Sequence, residues 1–274
     1  MNFRLLRHAT SLLKIHNKTI LIDPMLSPKG TMEPVKEVPN QNPNPLVDLP
    51  VTSEDLISSC DCVLITHTHR DHFDQEAERL IPKGIKIFCQ PEDKPKLVNM
   101  GFSNVVEVSR HITWEGISIT RTSARHGHGV TAKMMAPVSG YVICGPEENV
   151  LSETSGLEER AGLIQPSGLL QPTVYITGDS VFYSGIRKVL DRYRPDIVIC
   201  YAGEAAFSSG RPITMGIEDI TNLHRCSPSA KIIAVHMESW NHCTLTRKAL
   251  SEFAAREGMS KNILIPSDGE ELKF

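Results

Sequence analysis

Thr66-His67-Thr68-His69-Arg70-Asp71-His72 follows directly on the apolar run Cys62-Val63-Leu64-Ile65, and that junction decides how the chain is read. Residues 62–65 have the length and composition of a buried strand. The run beyond them places four nitrogen or oxygen donors, His67, His69, Asp71 and His72, within six residues. In extended backbone, side chains two apart share a face, so His67 and His69 can aim their imidazoles at one ion. The turn that follows aims Asp71 and His72 at a second position nearby. Such a donor set suits zinc first, with iron or manganese as alternatives. Without a metal, these would be solvated polar residues in a loop, but solvated loops rarely concentrate three imidazoles behind a buried strand.

The flanking sequence supplies a frame. Residues 3–6, 11–15 and 19–22 read as short strands separated by turn-prone His8-Ala9-Thr10 and Asn17-Lys18, which predicts a meander. Residues 26–50 carry six prolines among Asn and Gly and show no helical or strand period, so a long loop is expected. Loops of that length in a compact domain tend to be functional, and this one is placed over the active site, covering it across 25–50. After residue 60, strands (62–65, 85–89, 105–108, 112–120, 140–144, 173–176, 197–200, 231–235) alternate with helices (73–80, 92–100, 181–192, 217–223, 244–257). Residues 263–265 read as an edge strand, and 145–171 as an excursion without a consistent period. The alternation predicts sheets covered by helices on their outer faces.

Composition narrows the function classes. The 274 residues are 40% hydrophobic, enough for one large core, and 29 basic against 32 acidic residues leave a net charge of −3. That balance is no footprint for nucleic acid. Seven scattered cysteines fit buried thiols in a reducing compartment better than a disulfide framework, and Cys60-Asp61-Cys62 is read as framing a strand. No stretch approaches 18 uninterrupted apolar residues, and the first seven residues lack an export-type apolar core. A cytoplasmic protein without a membrane span is expected.

Three distant features repeat the context of the histidine run, a polar side chain just beyond an apolar strand. His126 and His128 follow residues 117–120 in Arg125-His126-Gly127-His128-Gly129. Asp179 follows Val174-Tyr175-Ile176 in Thr177-Gly178-Asp179, and His236 follows Ile232-Ile233-Ala234-Val235. Sites in sheets flanked by helices are built outside strand ends, so the recurrence raises each of these above an ordinary surface group.

The run 66–72 matches the His-x-His-x-Asp-His pattern of the metallo-beta-lactamase superfamily. Arg7-His8-Ala9-Thr10, Thr19-Ile20-Leu21-Ile22-Asp23-Pro24, Tyr175-Ile176-Thr177-Gly178-Asp179 and His236 resemble its branch of ascorbate-6-phosphate lactonase and related metal-dependent hydrolases. The similarity spans roughly residues 3–245. It implies an α+β fold, a four-layer αββα sandwich with a binuclear metal centre at the edge between two sheets, formed by residues 1–274 as a single domain. By matching positions, His67, His69 and His126 would bind one divalent ion; Asp71, His72 and His236 would bind a second, with Asp179 bridging. His126 is preferred to His128 because it lies nearer its strand, leaving His128 to substrate or to an outer contact. Asp23 would bond a ligand imidazole, fixing its tautomer, and His8 would do likewise or face substrate. A homo-oligomer would be in keeping with the relatives.

The chemistry this implies is hydrolysis of a small ester, lactone or phosphoester, in which two ions lower the pKa of a water between them. Asp71 or Asp179 would take the proton. His242 is a candidate to donate one, although its place before a helix start fits capping equally well. Arg70 and Arg125, beside the ligand loops, are candidates for anionic groups of a small-molecule substrate. The alternatives are a phosphodiesterase or nuclease using the same centre, and a metal-binding structural or regulatory protein without catalysis.

Overall fold

The computed structural model describes residues 1–145 and 172–274, so the expected excursion at 145–171 falls almost wholly outside the described residues. Fourteen strands and seven α-helices among the described residues follow the order β1 (Asn2–Arg7), β2 (Thr10–Ile15), β3 (Lys18–Ile22), α1 (Ser53–Ser58), β4 (Cys62–Leu64), α2 (Gln75–Leu80), β5 (Lys86–Cys89), α3 (Lys94–Asn99) and β6 (Val105–Glu107). Then come β7 (His111–Trp114), β8 (Ile117–Ser123), α4 (Gly129–Met134), β9 (Ser139–Cys144), β10 (Val174–Ile176), α5 (Ser184–Tyr193) and β11 (Ile197–Tyr201). The chain closes with α6 (Ile217–Cys226), β12 (Lys231–Val235), α7 (Arg247–Arg256), β13 (Ile263–Leu264) and β14 (Glu271–Lys273).

The strands form two seven-stranded sheets, one in the order β14-β1-β2-β3-β4-β5-β6, the other β13-β12-β11-β10-β9-β8-β7. Each begins antiparallel and turns parallel where helices carry the crossovers, as β3–β4–β5–β6 and β10–β11–β12–β13 show. Alternation along the strands separates three layers of apolar side chains. Leu5, Leu13, Ile20, Leu64, Ile119, Tyr141, Ile176 and Ile199 fill the space between the sheets. Val63, Ile65, Ile87 and Leu97 pack the first sheet against α1–α3, and Val198, Ile232, Leu223 and Leu250 pack the second against α5–α7. Each fully buried aliphatic side chain of this kind contributes about 1.5–3 kcal/mol relative to exposure. The result is the four-layer αββα sandwich.

The three opening strands form the expected meander. Residues 112–120 do not form one strand: they belong to a hairpin, β7 and β8, that reverses at Glu115 and Gly116, both with positive φ. Helix α5 starts at Ser184, not 181, because Val181 is tied back through its N–H to the Arg125 carbonyl at 2.9 Å. Helix α7 starts at Arg247, where the Thr246 hydroxyl accepts the Ala249 N–H. Strand β14, short and polar, pairs with β1 and had no apolar period to announce it. No described helix is long and apolar enough to cross a membrane.

Candidate metal centre

The apolar strands end at one rim of the sandwich, where the chain turns polar. After β4, the His69 carbonyl accepts the N–H groups of His72 and Phe73, at 2.9 and 2.8 Å. This tight turn brings Asp71 and His72 back beside His67. From the second sheet, the loop after β8 delivers His126, the loop after β10 delivers Asp179, and the end of β12 delivers His236. Gly178, at φ +60, lets the Asp179 loop pass against Ser139, since a Cβ there would lie 2.4 Å from the Ser139 carbonyl oxygen. On this rim, three residues just beyond strands β1, β3 and β12 hold left-handed backbone without being glycine: His8 (φ 56), Asp23 (φ 43) and His236 (φ 71).

Two sets of donor atoms result, each with all members within 4.8 Å of one another: His67, His69, His126 and Asp179, and His8, Asp71, His72 and His236. The sets touch. Asp179 Oδ2 is 3.4 Å from His126 Nε2 and 3.3 Å from His72 Nε2, while its Oδ1 is 3.2 Å from His236 Nε2. His67 Nε2 and His69 Nδ1 are 2.9 Å apart, and His72 Nε2 and His236 Nε2 are 3.3 Å apart.

Outer hydrogen bonds reveal which nitrogens carry lone pairs. His72 Nδ1 donates to Asp23 Oδ2 at 3.0 Å, and His126 Nδ1 donates to the Ile213 carbonyl at 2.9 Å. The Thr66 hydroxyl gives its proton to Asp23, so it can only accept from His67 Nδ1. In the neutral rings, Nε2 of His67, His72 and His126 is therefore bare and turned inward, together with the carboxylates of Asp71 and Asp179. Asp179 Oδ1 is buried without a hydrogen-bond donor. Convergent lone pairs with no proton between them repel one another unless a cation joins them, and imidazole with carboxylate is the donor chemistry of zinc, iron and manganese. The residues fit a divalent metal.

Asp23 is the hub beneath the centre. Its carboxylate accepts from Thr66 N–H, Thr66 Oγ1, His72 Nδ1 and Tyr201 OH, at 2.7, 2.7, 3.0 and 2.7 Å. The last bond crosses from the first sheet to the second, and the Tyr201 ring stacks on both His72 and His236. His236 Nδ1 faces the Cys243 thiol at 3.6 Å, and Gly203 leaves room for that ring, since a Cβ there would stand 2.8 Å from Nδ1.

Electrostatics follow from burial and proximity. Burial pushes His67 and His69 down, as it does His8, which falls to about 3. His72 moves the other way, because Asp179 and Asp71 outweigh the effect of its burial. Burial would raise Asp71 and Asp179, yet the imidazoles around them hold both carboxyls well below their usual range. His242, also buried, is lowered to about 4.

A cavity of about 200 Å³ opens on the centre, lined by His69, Asp71, His126, Asp179 and His242 on its polar side. Val35, Met135, Phe207, Ile213 and Trp240 form its apolar side. Val35 comes from the 25–50 segment, which Asn241 holds through bonds to Val35, Asn40 and Asn44. His242 lines the cavity and caps no helix. Arg70 also lines it, but its guanidinium lies over the Trp240 ring, 5.5 Å from the centroid. Arg125 is exposed beside Tyr183, and half-buried His128 precedes α4, outside both donor sets. Tyr201, Trp240, Cys243 and the apolar wall escaped sequence reasoning. Only Trp240 carried a signal, two residues before His242.

The chain is similar in sequence and fold to known proteins. The family described as "Beta-lactamase superfamily domain" matches residues 18–237. The chain is 38% identical to UPF0173 protein YddR of Bacillus subtilis over the full length of both. It is 25% identical to a UPF0173 metal-dependent hydrolase of Methanosarcina mazei, covering 98% of this chain and 96% of the relative. Among solved structures, isothiocyanate hydrolase from Delia radicum gut bacteria superposes with a TM-score of 0.88 at 34% identity, covering 100% of this chain and 99% of that one. The chain belongs to the metallo-beta-lactamase superfamily, among its metal-dependent hydrolases.

Proposed function

We propose that the protein hydrolyses a small, uncharged electrophile bearing an apolar group, with two divalent ions at the rim of the sandwich. The cavity carries this reading: one wall is donor atoms, and the other is Val35, Met135, Phe207, Ile213 and Trp240. His67, His69 and His126 would hold one ion, and Asp71, His72 and His236 the other, with Asp179 between them; zinc suits the set, with manganese or iron as alternatives. Such ions supply a water of lowered pKa and polarise the bond under attack.

The chain's own groups do the rest. The apolar wall orients the substrate and excludes bulk water from the reacting carbon. Asp179 Oδ1, buried without a donor, is placed to take the proton of the attacking water, and Asp71 is the alternative acceptor. His242, kept neutral by burial, presents a ring N–H to the departing atom and recovers a proton on its other nitrogen from the cavity mouth. Residues 25–50, held by Asn241, cover the site on the Val35 side, and residues 1–274 work as one hydrolase domain.

Isothiocyanates head the substrate classes, because the solved relative at 34% identity is an isothiocyanate hydrolase and the carbon of that group is an uncharged electrophile. Lactones and simple esters follow on the same grounds. Phosphoesters and polynucleotides have less support, since the cation in the cavity lining, Arg70, is engaged with Trp240. Metal analysis of the purified chain, followed by assays against isothiocyanates, lactones, esters and phosphodiesters, tests the reading. His67→Ala is expected to lose both metal and activity. Unchanged metal content after combined loss of His67 and His69 would sink the assignment.

A further inference from the structure

His8 sits in the two-residue turn between β1 and β2, fully buried. Its ring lies 3.7 Å from that of His236, centroid to centroid, and its carbonyl accepts the His236 N–H at 2.8 Å. Its Nε2 is 3.3 Å from Asp71 Oδ2. Distance alone therefore makes His8 a fourth donor beside Asp71, His72 and His236.

The other ring nitrogen points to a different role. A ligating imidazole almost always donates its outer N–H to an acceptor. His67, His72 and His126 do so, to Thr66, Asp23 and the Ile213 carbonyl, and His236 has the Cys243 thiol. His8 Nδ1 is buried with no partner. A proton there would be a buried donor without an acceptor, whereas a proton on Nε2 meets the Asp71 carboxylate. The neutral ring keeps its proton on Nε2, and a protonated nitrogen has no lone pair to give an ion.

We propose that His8 is a positioning residue, which fixes the Asp71 carboxylate by donating from Nε2 and is not itself a metal ligand; the inference rests on the two-ion reading above. Without that donor, Asp71 is free to rotate. The second ion is then held less tightly, but the number of ions the chain can hold does not change.

The test is titration of the full chain with cobalt(II), followed by visible absorption and equilibrium dialysis, in wild type, His8→Gln and His8→Leu. Gln and Leu strain the left-handed turn alike, so their difference reports the side chain. Both variants are expected to take up two equivalents at saturation. His8→Leu should bind the second about 10–100-fold more weakly, with an altered spectrum, and His8→Gln, whose amide can donate to Asp71, should recover most of the loss. If either variant saturates at one equivalent, His8 is a ligand and the inference fails. It fails equally if His8→Leu leaves affinity and spectrum unchanged. Should His8→Leu not fold, His8→Gln decides alone, since wild-type capacity with near wild-type affinity requires a donor and not a ligand. Wild type saturating below two equivalents would remove the two-ion reading and this inference with it.

Discussion

Asp23 gathers four donors onto one buried carboxylate, and three of them, the Thr66 N–H, the Thr66 hydroxyl and His72 Nδ1, belong to the run that supplies four of the seven candidate ligands. Tyr201→Phe deletes one donor and leaves every apolar contact of the ring. It should lower stability by about 1–3 kcal/mol and weaken metal binding by about 10-fold or more, as read by urea denaturation and equilibrium dialysis. A variant equal to wild type in both would show that the 2.7 Å bond contributes nothing. Gly203→Ala acts on the other side of the same ring stack. Its methyl would meet His236 Nδ1 at 2.8 Å and the His236 carbonyl at 2.5 Å, so backbone must shift. Expected are sharply reduced metal uptake with far-ultraviolet circular dichroism close to wild type, because the shift is confined to the loop after β11 and the end of β12. Asp23 was legible in the sequence as the end of an apolar strand. Tyr201 was not, because an aromatic residue closing a fully buried strand looks the same whether its hydroxyl is idle or holds a carboxylate.

At the scale of elements, the long segment at 25–50 is held by side chains far away in sequence. Arg7, fully buried, donates to the carbonyls of Val47, Met25 and Ser27 at 2.9, 2.8 and 2.6 Å, which draws both ends of the segment onto β1. Burial lowers its guanidinium to about 10, which leaves it charged at neutral pH. Arg7→Met removes three charge-assisted bonds and strands their acceptors, at a cost of about 3 kcal/mol or more. Hydrogen exchange should rise across 25–50 before it rises in either sheet. Asn241→Leu frees the middle of the segment instead. It should raise KM more than it lowers kcat, because Val35 then leaves the cavity wall while the donor atoms stay in place. Proline density marked this segment as a loop, but no local pattern encodes which distant arginine or asparagine pins it. The hairpin at 111–123 did leave a local mark: the apolar positions shift phase from 112 and 114 to 117 and 119 across Glu115-Gly116, where both residues take positive φ and the chain reverses. Strand β14 depends on pairing with β1, a partner at the other end of the chain.

Across the whole molecule, candidate ligands come from both sheets: His67, His69, Asp71 and His72 from the first, and His126, Asp179 and His236 from the second. Ions bound there join the halves, so removing them with a chelator should lower the thermal midpoint. At metal concentrations of about 1,000 times Kd the lost contribution is about 4 kcal/mol per site, and restoring metal should recover it. The rim was legible because strand, turn and donor recur together four times along the chain, and the four-layer sandwich because the run 66–72 resembles the metallo-beta-lactamase pattern. The cavity's apolar wall was not, because Val35, Met135, Phe207 with Ile213, and Trp240 come from four different loops that only the closed fold brings together. The left-handed residues at that rim carry a further consequence. His8, Asp23 and His236 each hold a conformation that costs a non-glycine residue about 1–2 kcal/mol. A lineage released from its substrate but still selected for a durable fold would gain by replacing them with glycine or asparagine. Loss of activity in descendants of this protein should therefore be written first at these three positions, ahead of His67 or His69, whose backbone carries no such strain.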